Sequence, residues 1–156
     1  MKLVRLNTVN KKSINYKKYS AMVDDDDYEK VIKYKWSFWD NGYSIYAVAN
    51  VNGKVITMHK FLTGYELVDH KNGNGIDNRK ENLRNATRSQ NMANTRKKAK
   101  RTSRYKGVSW DRFRNKWRVT LRGGSLGRYD CETKAALIYD RNASKVFGEF
   151  ANLNFK

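Results

Sequence analysis

Hydrophobic and polar residues alternate in short runs along most of the chain, a pattern typical of small antiparallel sheets rather than long helices. In the first 65 residues, the pairs Asn41-Gly42 and Asn52-Gly53 separate three such runs. Asn-Gly between aromatic or β-branched runs indicates a hairpin turn. Short helices are expected over 28–34 and 59–62, the second ended by Gly64. A first strand is expected to start within residues 3–6. Further strands are expected over 19–23, 36–39, 43–51 and 54–58.

The C-terminal third shows a clear period of two, with one apolar side and one cationic side. Breaks at 114–115 and 123–124 divide this pattern into three strands. A helix is then expected over 134–147, with Thr133 as its N-cap and Gly148 after its end. Its expected buried face consists of Ala135, Ala136, Ile138, Tyr139, Ala143, Val146 and Phe147. The pattern predicts a three-stranded antiparallel sheet with one helix packed on its apolar face.

The stretch from Val68 to Thr95, VDHKNGNGIDNRKENLRNATRSQNMANT, contains few apolar residues and offers little to a core. We expect a strand over 67–70, a polar glycine-bearing loop, a strand over 83–87 and a helix over 89–98. Thr87 or Ser89 is the expected cap of that helix. So many asparagines beside one Asp-His pair are better explained by a site than by packing.

The predicted fold class is α+β. A small N-terminal antiparallel sheet leads into this strand–loop–strand–helix segment, and the three-stranded sheet with its helix follows. Residues 97–104 are basic and lack bulky apolar side chains, as a linker would. The predicted domains are therefore 1–96, the linker 97–104, and 105–156.

Charge then narrows the choice of partner. The 156 residues suit one ordinary domain or two small ones, and they carry a net charge of +18. That excess favours a polyanion such as nucleic acid over a merely solvated cationic surface. A membrane surface is less favoured, because no apolar run approaches ~18 residues and no long basic amphipathic helix is visible.

The single cysteine, Cys131, excludes an intramolecular disulfide and a Cys-rich zinc site. It suits a reducing compartment, and no secretory signal is visible, so we expect the protein in the cytoplasm. The run from Asp24 to Asp27 invites a metal site but lacks the alternating spacing of a calcium loop. We interpret it as acidic capping of the helix that follows.

The adjacent Asp69 and His70 suggest two different roles, one in metal binding and one in proton transfer. Neighbours on a strand point to opposite faces, so Asp69 and His70 cannot easily hold one ion together. A carboxylate and an amide oxygen, from Asp69 and Asn91, suit Mg²⁺, which prefers oxygen and few protein ligands. His70 is then left to activate a water as general base.

These residues resemble the HNH nucleases, most closely the phage and intron homing type, whose ββα-metal motif has the same order and approximate spacing. The strings DHKNGNGIDNRKENLR and SQNMAN carry the resemblance. It implies His70 as general base and Asp69 and Asn91 as metal ligands. It also implies that Asn82 braces the loop by hydrogen bonds. His59 matches a recurrent family position that serves in phosphate contact or site bracing.

Residues 104–156 are similar to the APETALA/ERF-type DNA-binding domain, on the strings YKGVSW, KWRVTL, LGRYD, TKAALIYDRNA and FGEFANLNF. In that family the three-stranded sheet lies in the major groove of DNA, and side chains on its exposed face contact bases and phosphates. Several base-contact positions differ here, so no target sequence is implied. The implied DNA-contact residues are Lys106, Trp110, Arg112, Arg114, Lys116, Arg118, Thr120, Arg122 and Arg128.

Together the two resemblances predict a metal-dependent DNA endonuclease that hydrolyses phosphodiester bonds, by nicking or double-strand cleavage, at a site selected by the C-terminal domain. They imply double-stranded DNA as partner, Mg²⁺ or another divalent cation such as Mn²⁺, and a phage or mobile-element origin in a bacterial or phage-infected cell. No membrane, small-molecule cofactor or structural zinc is expected, and monomer and homodimer both stay open. The alternatives are a non-cleaving DNA-binding regulator with a decayed nuclease fold, and an RNA-binding protein.

Overall fold

The computed structural model describes residues 1–7, 19–95 and 102–155. The chain forms two compact units, residues 1–87 and 88–156. None of the helices in the described ranges is long and apolar enough to cross a membrane. Residues 97–101 of the predicted linker lie outside the described residues, so the expected domain bounds stay a prediction.

The described residues of the first unit form three small antiparallel sheets. These confirm the prediction of small antiparallel sheets with few helices. The middle strand of the three-stranded sheet is Ile45–Val51. At the Asn52-Gly53 turn that follows it, both residues have positive φ, 51° and 80°, as a tight hairpin requires. The pairs are β1 (Lys2–Arg5) with β2 (Ser20–Val23), β4 (Ile45–Val51) with β3 (Ser37–Asp40) and β5 (Lys54–Thr57), and β6 (Val68–His70) with β7 (Leu83–Asn85).

Two short helices support these sheets. Helix α1 (Asp25–Val31) begins three residues before the expected start, because the acidic residues form its first turn rather than preceding it. Helix α2 (Met58–Thr63) ends at Gly64, whose left-handed φ of 69° satisfies the expected glycine stop. The core between helices and sheets includes the fully buried Trp36, whose indole Nε1 donates to the Val31 carbonyl at 2.7 Å.

The second unit contains a helix, a sheet and a longer helix. The order of its elements is α3 (Arg88–Asn94), β8 (Val108–Asp111), β9 (Lys116–Leu121), β10 (Gly124–Tyr129) and α4 (Glu132–Phe147). Strand β9 lies between β8 and β10, and all pairings are antiparallel. Val119 on β9 packs with Ala135, Tyr139 and Ala143 of α4 in a separate hydrophobic core.

The expectations for the start and N-cap of α4, for the burial of Val146 and for the end of α3 were wrong. Helix α4 begins at Glu132 with Cys131 at the N-cap, not Thr133. Val146 is 48% exposed, whereas Asp140 is buried on the same helix. Asp140 can be buried because its carboxylate accepts hydrogen bonds from the backbone of the C-terminal tail. Helix α3 ends at Asn94 instead of continuing towards residue 98.

Candidate active site

The pairing of β6 with β7 determines the surroundings of Asp69 and His70. Asp69 lies opposite Arg84, and His70 lies opposite Leu83. Because successive side chains on a strand alternate, Asp69 and His70 point to different faces of this two-stranded sheet. The structure therefore gives the two residues separate environments, as the periodicity of a strand predicts.

Asp69 is bound to its cross-strand neighbour. Its carboxylate is 3% exposed, and Oδ2 accepts hydrogen bonds from Arg84 Nε at 2.8 Å and Nη2 at 2.7 Å. Two charge-assisted bonds orient the carboxylate and offset the cost of burying its charge. Arg84 was not among the residues expected in the site, although it lies in the matching string.

His70 is packed among rings. It is 6% exposed, and its ring centroid lies 5.0 Å from that of His59 and 5.9 Å from that of Tyr46. Burial lowers the pKa of His70, against the opposing influence of Asn78 and the nearby carboxylates. A neutral imidazole at neutral pH is the form that a proton acceptor requires.

His59 lies at the second residue of α2 and is also buried. Its Nε2 lies 2.9 Å from the Thr57 hydroxyl, and its ring meets Tyr46 edge-on with centroids 5.5 Å apart. Burial, then the charges of His70 and Lys60, lower the pKa of His59 to about 3. These contacts fix the orientation of the His59 ring and are of the kind that a side chain bracing the site makes.

Asn82 ties together both ends of the loop between β6 and β7. Its side chain is buried, and its Oδ1 accepts from the Asn72 backbone N–H at 3.0 Å. Its Nδ2 donates to the Asp77 carbonyl at 2.8 Å, and its own carbonyl accepts from the Lys71 N–H at 2.9 Å. The geometry is that of a loop brace.

Asp77 and Asn78 lie in the polar loop between β6 and β7, yet each is only 1% exposed. The Asp77 carboxylate accepts from Arg79 Nε and Nη2, each at 2.8 Å, and from Asn72 Nδ2 at 2.8 Å. The Arg79 guanidinium is the main reason that the pKa of Asp77 is lowered. Asn72 and Asn74 form turns in this loop, since each side-chain oxygen accepts a hydrogen bond from the backbone N–H two residues further along the chain.

The loop rests on β2 and β4. Met22 of β2 donates its N–H to the Ile76 carbonyl and accepts from the Asn78 N–H, each at 2.8 Å. A Cβ at Gly75 would lie 2.5 Å from the Ile45 carbonyl oxygen and 2.7 Å from the Tyr46 ring. Only glycine allows this approach, which presses the loop against the ring that also contacts both histidines.

The acidic run also holds this loop. Asp24 occupies the N-cap of α1 but makes no side-chain cap hydrogen bond there. Its Oδ2 accepts from the Lys80 backbone N–H at 2.7 Å. Asp27 is buried and pairs with Lys30 Nζ at 3.1 Å and Lys80 Nζ at 3.5 Å. The acidic run therefore does lie at the start of α1, as the capping interpretation predicts. The Asp24 side chain, however, accepts its hydrogen bond from the loop between β6 and β7 and not from the helix.

The remaining predicted ligand, Asn91, lies on α3 in the second unit and is half-buried. Asp69 and Asn91 offer a carboxylate and an amide oxygen. No cluster of three His, Cys, Asp or Glu side chains suited to a metal ion occurs in the described part of the chain. Oxygen donors of this kind suit Mg²⁺ or Mn²⁺, which keep several waters.

The second unit has a cationic face on the side of its sheet away from α4. Val119 is buried under α4, so its neighbours Arg118 and Thr120 point the other way. Arg128 lies beside Arg118 in register, and Lys116 shares this face by alternation. The turns at the ends of β9 add the exposed Arg112, Arg114 and Arg122.

Several of these cations have internal partners. Arg128 Nε lies 2.7 Å from Asp111 Oδ2, and Lys116 Nζ lies 3.1 Å from Asp130 Oδ1. At the tip of the β8–β9 turn, Phe113 is 98% exposed between two arginines. Such surface ion pairs are weak and exchange readily for phosphate contacts.

Two predicted DNA-contact residues lie elsewhere. Trp110 pairs with Trp117 on the α4 side of the sheet, with ring centroids 4.9 Å apart. Lys106 donates its ammonium to the backbone carbonyls of Ala93 and Thr95. Neither side chain belongs to the cationic face.

Comparison with known proteins finds two matches that include this segment. A family model described as HNH endonuclease matches residues 64–93. An uncharacterized HNH endonuclease of Acanthamoeba polyphaga mimivirus is 32% identical over 148 residues, which cover 86% of this chain and 74% of the relative. No solved structure matches the chain. The matched segment contains Asp69, His70, Asn82 and Asn91, and we conclude that the chain belongs to the HNH endonuclease family and is a DNA endonuclease.

Proposed function

We propose that this endonuclease hydrolyses phosphodiester bonds of double-stranded DNA with a divalent cation, at sites selected by its C-terminal sheet. The observation that carries the proposal is the arrangement around β6. There a buried imidazole and a buried, guanidinium-bound carboxylate lie on opposite faces of one strand. This arrangement separates the proton acceptor from the metal ligand.

His70 is the proposed general base. It takes a proton from the attacking water as the water oxygen bonds to phosphorus and the bond to the leaving sugar oxygen breaks. Burial against His59 and Tyr46 keeps the ring neutral and limits its rotation. Asn82 acts indirectly, because it holds the loop that follows His70.

Asp69 and Asn91 are the residues that would hold the cation, Mg²⁺ or Mn²⁺. When bound, such a cation supplies positive charge near the phosphate and the leaving oxygen. The Arg84 guanidinium orients the Asp69 carboxylate for this task through two bonds to Oδ2. The ligand assignment rests on the family resemblance and on the oxygen donors that the two side chains provide.

Site selection is assigned to the cationic face of the second unit. A three-stranded sheet with exposed arginines can enter the major groove and contact base edges and phosphates. The central residues of the proposed surface are Arg118, Thr120 and Arg128, flanked by the arginines of the two turns. A decayed nuclease is disfavoured, because Asp69, His70 and Asn91 are all present.

The test is cleavage of supercoiled plasmid by purified protein, with Mg²⁺ or Mn²⁺ and with EDTA. We expect the wild type to convert the plasmid to nicked or linear forms only with the cation. His70→Ala should lose about 10²-fold or more of the rate, the usual contribution of a general base. Lys33→Ala, at an exposed position after α1, serves as control. Equal rates for wild type and His70→Ala would refute the assignment, as would cleavage that persists in EDTA.

A further inference from the structure

Side chains from distant parts of the second unit hold the C-terminal end of α3. The Lys106 ammonium donates to the carbonyl of Ala93 and, at 2.7 Å, to that of Thr95. Asn152 donates its backbone N–H to the Ala93 carbonyl at 3.2 Å and its Nδ2 to the Asn94 carbonyl at 3.0 Å. Three consecutive carbonyls at the end of the helix thus accept four hydrogen bonds from two residues.

These bonds matter because α3 is short. A helix of seven residues is far below the length at which a helix is stable by itself in water, so its packing and its ends decide its position. Its last carbonyls have no partners within the helix. A cation at that end also interacts favourably with the helix dipole.

Lys106 is itself fixed in place. Its backbone N–H donates to Asn154 Oδ1 at 2.6 Å, and Asn154 Nδ2 donates back to the Lys106 carbonyl at 3.2 Å. Asn154 is in turn bound to the Asp140 carboxylate of α4 through its backbone N–H and its Nδ2, each at 2.9 Å. Burial lowers the pKa of the Lys106 ammonium to about 8, as expected for a side chain drawn out of solvent. A continuous series of hydrogen bonds therefore runs from α4 through Asn154 and Lys106 to the end of α3.

We propose that Lys106 and Asn152 are positioning residues for Asn91. They fix the end of the helix that carries Asn91 and so set the contribution of Asn91 to the affinity for the divalent cation. This inference rests on the proposed role of Asn91 as a metal ligand. It replaces the expectation that Lys106 contacts DNA, and it joins the metal ligand to the fold of the proposed DNA-reading unit.

Two readouts test the proposal without requiring cleavage. The first is amide hydrogen exchange of residues 91–95 in the full chain. The second is Mn²⁺ affinity, from the electron paramagnetic resonance signal of the free ion. Lys106→Met keeps most of the aliphatic length but removes the ammonium, and Asn152→Ala removes the second side chain. Lys145→Met, at an exposed position in the last turn of α4, is the matched control.

We expect faster exchange at 91–95 in Lys106→Met and Asn152→Ala, and a loss of about tenfold in Mn²⁺ affinity, within the usual range for groups that orient metal ligands. Lys106→Arg, which keeps the charge, should recover part of both. Lys145→Met should match the wild type. In EDTA, the affinity of Lys106→Met for duplex DNA should stay within about twofold of the wild type, whereas loss of a phosphate contact would weaken binding and reduce its salt dependence.

Unchanged exchange in both variants, or unchanged Mn²⁺ affinity despite faster exchange, would overturn the proposal. So would a DNA-binding defect in Lys106→Met without a change in Mn²⁺ affinity.

Asn91→Ala separates this failure from failure of the proposed function. If Asn91→Ala binds Mn²⁺ as well as the wild type does, or the wild type does not bind it, the metal assignment is wrong and the present inference falls with it. If Asn91→Ala binds weakly and both positioning variants bind normally, only the positioning role is wrong. Should Lys106→Met fail to fold, Asn152→Ala and Lys106→Arg decide the matter.

Discussion

The chemistry of the site depends on titratable side chains that are buried, each in a different environment. His59 and His70 are the only two histidines of the chain, and both are buried against Tyr46. Burial disfavours the imidazolium form, so both pKa values are lowered. Asp69 differs, because the charge of its buried carboxylate is paired with the Arg84 guanidinium. The same strand thus presents one neutral group and one paired charge.

The two histidines make the acid response of the protein predictable. Between pH 6.5 and about 3, the unfolded chain binds a proton at His59 and the folded chain does not. Stability is therefore complete above pH 6.5 and falls as the pH is lowered towards 3, by up to about 1.4 kcal/mol per unit for one such group. Urea unfolding at pH 5 and pH 7 should show this loss, and His59→Gln should reduce it. In NMR titrations neither imidazole should have its midpoint at or above 6.5, and a midpoint there would contradict the burial argument.

Removing the partner of a buried charge should be costly. In Arg84→Met the Asp69 carboxylate stays buried but loses two charge-assisted hydrogen bonds. We expect a loss of about 3 kcal/mol in the free energy of unfolding, measured by chemical denaturation. Lys33→Met, at an exposed position, should change it by less than about 0.5 kcal/mol. A loss below about 1 kcal/mol in Arg84→Met would mean that other groups satisfy the carboxylate.

At the scale of elements, the loop between β6 and β7 behaves as a packed part of the first unit. It lies against β2 and β4, and Asp24 at the start of α1 binds its backbone. Its composition is polar, yet Asp77 and Asn78 are among the most buried of the described residues. The position of the loop therefore depends on strands that are distant in sequence.

Gly75 offers a direct test of that packing. In Gly75→Ala the new Cβ would lie 2.5 Å from the Ile45 carbonyl oxygen, so backbone must move. We expect a loss of about 1–3 kcal/mol in the free energy of unfolding and faster hydrogen exchange across the loop. Gly124→Ala is the matched control, because its Cβ would meet its nearest neighbour at 3.4 Å and its φ is not positive. Equal stability of the two variants would show that the loop can lift away from β4 at no cost.

Helix α4 provides a second test at this scale. Its N-cap residue, Cys131, is exposed, and the backbone N–H groups of Lys134 and Thr133 at the start of the helix lower the pKa of the thiol. Alkylation of the native protein by iodoacetamide should therefore reach half its maximal rate at a lower pH than alkylation of the urea-unfolded chain. Cys131→Ser should show no labelling, since the chain has one cysteine. A helix that began at Lys134 with Thr133 as its N-cap would leave the thiol with an ordinary pH dependence.

At the scale of the whole molecule, the net charge of +18 is unevenly shared. Residues 97–156 hold 16 of the 33 basic residues but only 5 of the 15 acidic ones. In the described part of this segment, six of the basic residues lie on or at the ends of one face of a sheet whose other face packs on α4. Separation of an apolar from a cationic face gives the unit a defined surface for a polyanion.

Binding to duplex DNA should weaken steeply with salt, because each phosphate contact releases counterions. For the full chain in EDTA, Arg118→Gln should reduce the slope of log K against log salt by about 1. Arg141→Gln provides the comparison, because Arg141 is exposed on α4, which covers the other face of the sheet. Equal slopes for the two variants, or a flat dependence in the wild type, would argue against the proposed surface.

Much of the architecture was predictable because local periodicity reports which side of a strand or helix is buried. The Asn52-Gly53 hairpin, the Gly64 stop and the strands of both units follow from residues close in sequence. The residues of the Asp69-His70 segment were recognisable for the same reason, since their spacing is local. The burial of Asp140 on α4 does not follow from that periodicity, because its carboxylate is satisfied by the distant C-terminal tail.

The sequence by itself determined the kinds of element, the apolar and cationic faces of the second sheet and the chemical types of residue in the site. Only the tertiary structure decided which of those groups are buried and what accompanies them. It pairs Arg84 with Asp69, places His59 and Tyr46 against His70, and turns Lys106 towards the end of α3. The reason is physical: burial and hydrogen bonding depend on neighbours brought together through space, and the periodicity of one segment carries no information about another.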